Sequence, residues 1–107
     1  MKGYKGMKSD MTCRGMKFEI GKTYHVDGDI AICSNGLHFC KKLTDVFNYY
    51  NDADDRYFEV ETNAEVITED KKSVTAELKI IREILGIELN RIKYGDGYGN
   101  GNGNGDG

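Results

Sequence analysis

His38 and Cys40 alternate along a short segment, Gly36-Leu37-His38-Phe39-Cys40, where a strand packed on a core would carry apolar side chains. Side chains two apart on a strand share a face, so an imidazole and a thiol stand together, and groups of these types bind ligands, coordinate metals or move protons. With Cys13 and Cys33 they contain the ligand types of a three-cysteine, one-histidine zinc centre, and His25 stands in reserve. Structural zinc sites draw paired ligands from knuckles about two to four residues apart, whereas only His38 and Cys40 are close here and both lie within a strand. The ordinary role for Cys33 and Cys40 is that of small buried hydrophobes, and no metal is expected. A thiol nucleophile with a histidine base could be drawn from Cys40 or Cys13 and His38 or His25, but neither a third orienting group nor a glycine-rich nucleophile turn accompanies them. Glu59 and Glu61 could work as an acid and base pair only if buried, and alternate positions on one strand face read more simply as solvated. Gly3, Gly6 and Gly15 match neither a phosphate-binding loop nor a dinucleotide fingerprint.

The elements that must position these residues are read from changes of period, which indicate an α+β fold of small antiparallel sheets with one or two short helices. Met16, Phe18 and Ile20 alternate with Lys17 and Glu19, predicting a strand that ends at Gly21. Ile30 and Ile32 predict a second, after the turn residues Asp27-Gly28-Asp29. In the run from Arg56 to Glu61, Phe58 and Val60 face inward and Glu59 and Glu61 face the other way. From Val74 to Ile80 the residues Val74, Ala76, Leu78 and Ile80 share a face, which reads as one strand. With Glu65 to Thr68 before it and Glu69 to Lys72 between, this predicts an antiparallel hairpin. Leu43, Val46, Phe47 and Tyr50 fall at helical spacing, with Thr44 available as a cap. Ile81 to Tyr94 mixes both periods around Gly86 and is left open.

At 107 residues, 38% hydrophobic and 31% charged, the chain suits one small domain over residues 1–94. Residues 95–107 carry seven glycines and one aromatic residue, which predicts a flexible glycine-rich tail. A net charge of −3 without a basic run argues against duplex nucleic acid as a partner. No apolar stretch approaches bilayer length, and Met1-Lys2-Gly3-Tyr4 does not lead into a signal-peptide core, so a cytoplasmic protein is expected. Three cysteines cannot all pair, and a reduced compartment would leave them as thiols or as ligands.

The order of these pieces resembles the ADP-ribosyltransferase superfamily, poly(ADP-ribose) polymerases included. Tyr4-Lys5-Gly6 looks like the early strand motif of that family, Gly36-Leu37-His38-Phe39-Cys40 like its second, Asp45 to Tyr50 like the helix ending in an aromatic pair, and Tyr57-Phe58-Glu59-Val60 like the strand after it. The resemblance covers about residues 3 to 61 and implies a minimal fold of that type with an NAD or ADP-ribose-like ligand. It implies that Gly6 brings backbone close to nicotinamide and that His38 stacks against the ring, with Tyr49 or Tyr50 nearby. The catalytic glutamate of that family has no unambiguous counterpart in a chain about half the usual length. Glu77 is the best candidate, and binding without turnover is the natural alternative.

A longer similarity, over most of residues 3 to 80, is to small phage and prophage proteins with glycine-rich tails. It rests on Tyr4-Lys5-Gly6, Cys13-Arg14-Gly15 running into Phe18 to Tyr24, Cys33, Gly36 to Cys40, Asp45 to Tyr50 and Arg56 to Val60. That resemblance implies a viral protein acting in the host cytoplasm on host defence. Two functions are therefore expected: a domain that binds a nucleotide such as ADP-ribose, or an anti-CRISPR-like inhibitor of a host defence protein. In the second, Asp52, Asp54, Asp55, Glu59 and Glu61 would imitate phosphates in a protein contact.

Overall fold

The computed structural model describes residues 1–32 and 34–94. The zinc ligand expected at Cys33 and the glycine-rich tail expected over 95–107 lie outside the described residues.

Among the described residues, nine strands and two short helices make an α+β fold that is mostly β, as expected from the sequence. β1 (Lys2–Met7) pairs antiparallel with β6 (Arg56–Glu61), from Lys2 opposite Glu61 to Met7 opposite Arg56. β6 also pairs with β9 (Glu77–Glu83), and β9 with β4 (Thr23–His25), giving a four-stranded sheet of order β1-β6-β9-β4. A three-stranded sheet of order β5-β8-β7 contains β5 (Leu37–Phe39), β7 (Val66–Glu69) and β8 (Lys72–Thr75), and β2 (Thr12–Cys13) with β3 (Met16–Lys17) forms a separate hairpin. Tyr4 and Cys40 exchange two backbone hydrogen bonds of 2.7 and 2.8 Å, which tie β1 to the end of β5.

β6 is central because both of its faces are apolar. Phe58 and Val60 enter a core with Met7, Phe18, Leu37, Phe39, Leu78 and Ile80, while Tyr57 enters a smaller one with Cys40, Leu43, Val46 and Ile84. The alternation of this strand predicted only the first face. The second is covered by α1 (Leu43–Val46) and by Leu89 of α2 (Gly86–Tyr94). Phe47 meets Tyr57 edge-on with ring centroids 5.0 Å apart.

Several predicted elements are corrected. The run Val74 to Ile80 is not one strand: it breaks at Ala76, whose carbonyl accepts from Val26 N (2.9 Å), and β8 and β9 enter different sheets. Val74, Leu78 and Ile80 are all fully buried, so the alternation is real but continues across a change of sheet. The hairpin before it forms as β7 and β8, with Asp70 at φ 57° in the turn. Ile30 and Ile32 form no strand. Asn35 Nδ2 donates to the carbonyls of both Asp27 and Asp29 at 2.9 Å, folding this segment into a loop, and the strand lies upstream at Thr23–His25. The strand expected to run to Gly21 stops at Lys17; Phe18 is buried, but Ile20 is half exposed. α1 is a single turn, with Lys42 at its N-cap and Thr44 inside it, so Thr44 is not the cap.

Candidate functional site

Three local devices bring polar groups to one side of the sheet junction. The first is the β2–β3 hairpin, in which Cys13 pairs with Met16 and the two turn residues, Arg14 (φ 54°) and Gly15 (φ 82°), are both left-handed. That is the backbone of a type I′ turn, whose twist matches the strands it joins. It places Arg14 so that Nη1 lies 3.4 Å from Nδ1 of His38. The second is β1, which presents Tyr4 and Gly6 on one face and Lys5 on the other. Lys5 is only 4% exposed, and its Nζ donates to the His38 carbonyl at 2.6 Å. The third is the turn after α1, where Tyr49 N and Tyr50 N both donate to Val46 O at 2.9 Å and fold the two aromatic rings back.

These devices enclose a cavity of about 160 Å³ lined by Lys5, Arg14, His38, Tyr49, Tyr50 and Lys72, with Tyr4, Gly6 and Phe39 among the other walls. A second cavity of about 260 Å³ shares Lys5, Cys13, Arg14 and His38 with the first and extends toward Ser34, Asn35 and Val26. The chain has more acidic than basic residues, 18 against 15, yet among the described residues no carboxylate lines either space. Tyr50 Oη lies 2.9 Å from Cys13 Sγ, and Tyr57 Oη donates to Tyr50 O at 2.7 Å, so Tyr50 is held at both its ring and its backbone. Lys72 Nζ stands 5.0 Å from the Tyr49 ring centroid.

The electrostatics are set by burial beside cations. Partial burial, then Arg14, Lys5 and Lys72, push the His38 imidazole down to about 4, so it is neutral at pH 7 and able to accept a hydrogen bond or stack. Burial, followed by nearby Asp45, pushes the Cys40 thiol up to about 11, and burial and the contact with Cys13 raise the Tyr50 phenol. Burial lowers the Lys5 ammonium from its ordinary value. The His38 shift has a consequence for stability. Below about pH 6.5 the unfolded chain binds a proton at position 38 that the native chain refuses until about pH 4, so stability must fall as pH drops through that window. The denaturant midpoint of the wild-type chain is expected to fall more between pH 7 and pH 4.5 than that of His38→Gln. Parallel curves would show that the native imidazole titrates normally.

The residues singled out in the sequence separate in space. Gly6, His38, Tyr49 and Tyr50 line one cavity. Gly6 has a local structural reason of its own: a Cβ there would lie 2.6 Å from Cγ of Tyr50, so the missing side chain admits the tyrosine ring. Glu77 lines neither cavity; its Oε1 lies 3.6 Å from His25 Nδ1, where β9 meets β4 at the edge of the four-stranded sheet. Of the acidic residues, Asp55 is buried and faces Lys8 at 3.5 Å, and Asp52 faces the same lysine at 3.6 Å. Asp54 is exposed. Glu59 accepts from Arg82 Nε at 2.8 Å and lies 3.6 Å from Lys2, and Glu61 is half-buried. Among the described residues no three histidine, cysteine or acidic side chains gather as a metal would require, and Cys13 and Cys40 are both buried.

Arg14 and Lys72 carry the positive character of the site and Lys5 adds a buried amine; Lys5 and Arg14 fall within the sequence motifs, but none of the three was singled out as a site residue. The available signal concerned Lys5, a lysine between Tyr4 and Gly6 in a strand; Arg14-Gly15 reads only as a two-residue turn between Cys13 and Met16. No helix among the described residues is long and apolar enough to cross a membrane. A family model described as a domain of unknown function, DUF7666, matches residues 1–91. No curated protein and no solved structure matches the chain.

Proposed function

We propose that this chain, which belongs to the DUF7666 family, binds an anionic small molecule bearing a planar ring, of the NAD or ADP-ribose class. The observation that carries this reading is a pair of cations, Arg14 and Lys72, with the buried amine of Lys5, around aromatic walls with no carboxylate among the lining residues. Arg14 and Lys72 supply the charge for a phosphate. Tyr49, Tyr50 and the neutral His38 supply faces and edges for a base or nicotinamide ring. The resemblance of Tyr4-Lys5-Gly6 and Gly36 to Cys40 to ADP-ribosyltransferase motifs supports the same ligand class. The resemblance to phage proteins supports a counter-defence role, in which a host nucleotide signal is held and withdrawn.

Binding without turnover is the favoured form. Cleavage of a glycosidic bond by the carboxylate route needs an acid beside the sugar, and Glu77, the best candidate for the catalytic glutamate, faces His25 and lines neither cavity. The inhibitor alternative gains less support, because Asp55 and Glu59 already face basic partners within the fold.

A thermal-shift panel tests the reading. A ligand present at a hundredfold its dissociation constant adds about 2.7 kcal/mol, which for a domain of this size raises the midpoint by roughly 10 °C. ADP-ribose and NAD are expected to do so, and adenosine, which lacks phosphate, much less. No shift with any phosphate-bearing member would refute the proposal.

A further inference from the structure

Lys5 is anomalous for a buried lysine. Buried ammonium groups are nearly always paired with carboxylates, yet the polar groups acting on this one are Cys13, Arg14 and Cys40. Its Nζ donates to the His38 carbonyl at 2.6 Å and stands 5.2 Å from the Phe18 ring centroid. It also lines both cavities at the place where they share walls. A neutral amine has two N–H bonds and one lone pair. In that form one N–H stays on the His38 carbonyl, and the lone pair is open to whatever occupies the cavities.

We propose that Lys5 is a covalent capture site, forming an imine with the open-chain aldehyde of a sugar phosphate whose anionic group rests on Arg14 and Lys72. This rests on the proposed function, in which a phosphate-bearing ligand occupies the cavity, and it selects, within that class, ligands with a free reducing end. ADP-ribose and ribose 5-phosphate have one; NAD, whose ribose is locked by the bond to nicotinamide, does not. The Lys5 nitrogen adds its lone pair to the carbonyl carbon, and the carbonyl oxygen takes up the proton released from nitrogen. Loss of that oxygen as water, with a second nitrogen-bound proton, then leaves a carbon–nitrogen double bond. One amine and one aldehyde give one imine and one water, with no change of oxidation state. Burial disfavours the ammonium form, against the opposing pull of Cys13 and with a further push from Arg14, so this amine gives up its proton more readily than an exposed lysine.

The test is reductive trapping on the intact chain. The protein is incubated at pH 7.5 with ADP-ribose, ribose 5-phosphate or NAD plus cyanoborohydride, a hydride donor that converts an imine to a stable secondary amine, and the modified lysines are mapped by peptide mass spectrometry. With both reducing ligands, Lys5 is expected to be labelled at least tenfold faster than exposed Lys2, Lys41 and Lys42, and NAD is expected to give no adduct. Inorganic phosphate should slow labelling at Lys5 alone. Lys5→Arg should lose the adduct, and the wild-type rate comparison stands even where that variant fails to fold. Thermal shifts with all three ligands separate the two levels. A shift without preferential Lys5 labelling overturns the imine and leaves the binding site; neither shift nor labelling overturns both. Preferential labelling without a shift supports capture at Lys5 and overturns tight reversible binding.

Discussion

Arg14→Gln combined with Lys72→Gln is expected to weaken binding of ADP-ribose by about a hundredfold or more while leaving the fold intact. Each hydrogen bond to a charged group contributes about 1.5–3 kcal/mol, and about 1.4 kcal/mol is tenfold in affinity, so losing two reaches or exceeds that factor. The fold should tolerate the change. Arg14 is exposed on a hairpin turn whose geometry depends on backbone and Gly15, and Lys72 is half-buried at the start of β8. Titration calorimetry at low and moderate salt would measure the loss. The wild-type affinity should drop as salt rises, and that of the double variant should drop much less. A dissociation constant within about threefold of wild type would show that the positive wall does not hold the ligand.

Gly36→Ala is the second large expected effect, and it acts on folding. Gly36 has φ 134°, a conformation side chains avoid, and a Cβ there would stand 2.2 Å from Cγ2 of Val74 and 3.2 Å from the Thr75 carbonyl. Val74 is fully buried in β8, so neither neighbour can retreat cheaply. Backbone strain of about 1–3 kcal/mol and overpacking of about 1–3 kcal/mol together remove a large part of the stability of a small domain. Gly15→Ala is the matched control: φ is also positive, but nothing lies within 4 Å of the added atom, so only about 1 kcal/mol should be lost. Urea unfolding of the two variants should differ by at least about 1 kcal/mol. Equal midpoints would mean that the β5–β8 contact at Gly36 yields. Because His38 comes two residues later in β5, Gly36→Ala should also displace the imidazole from the cavity.

Position 38 was legible in the sequence for a physical reason: a polar ring at an apolar position of a strand has to be accounted for, and here a cavity accounts for it. Arg56 to Glu61 was legible because central strands carry strong β-formers, although Tyr57, pointing the other way, showed that both faces are covered only once the helices were in place. Val74 to Ile80 misled because alternation records which side of the chain is buried, not which sheet it joins. A chain can pass from β8 to β9 at Ala76 without breaking the pattern. Ile30 and Ile32 misled for the opposite reason, as two alternating residues carry no information about a partner strand, and Asn35 claims the neighbouring carbonyls for a loop. Arg14 and Lys72 were hidden because a charged residue at a turn or at a strand end is what a solvated surface also looks like. Only their convergence distinguishes them, and it joins the β2–β3 turn to the start of β8 from positions far apart in the chain.

The pair of backbone bonds between Tyr4 and Cys40 has a colloidal consequence. β1 is the outermost strand of its sheet, and its free rim would otherwise offer a template for another molecule to add as an extra strand. By occupying the middle of that rim with its own chain, the protein denies the docking register from which stacked, insoluble ribbons grow.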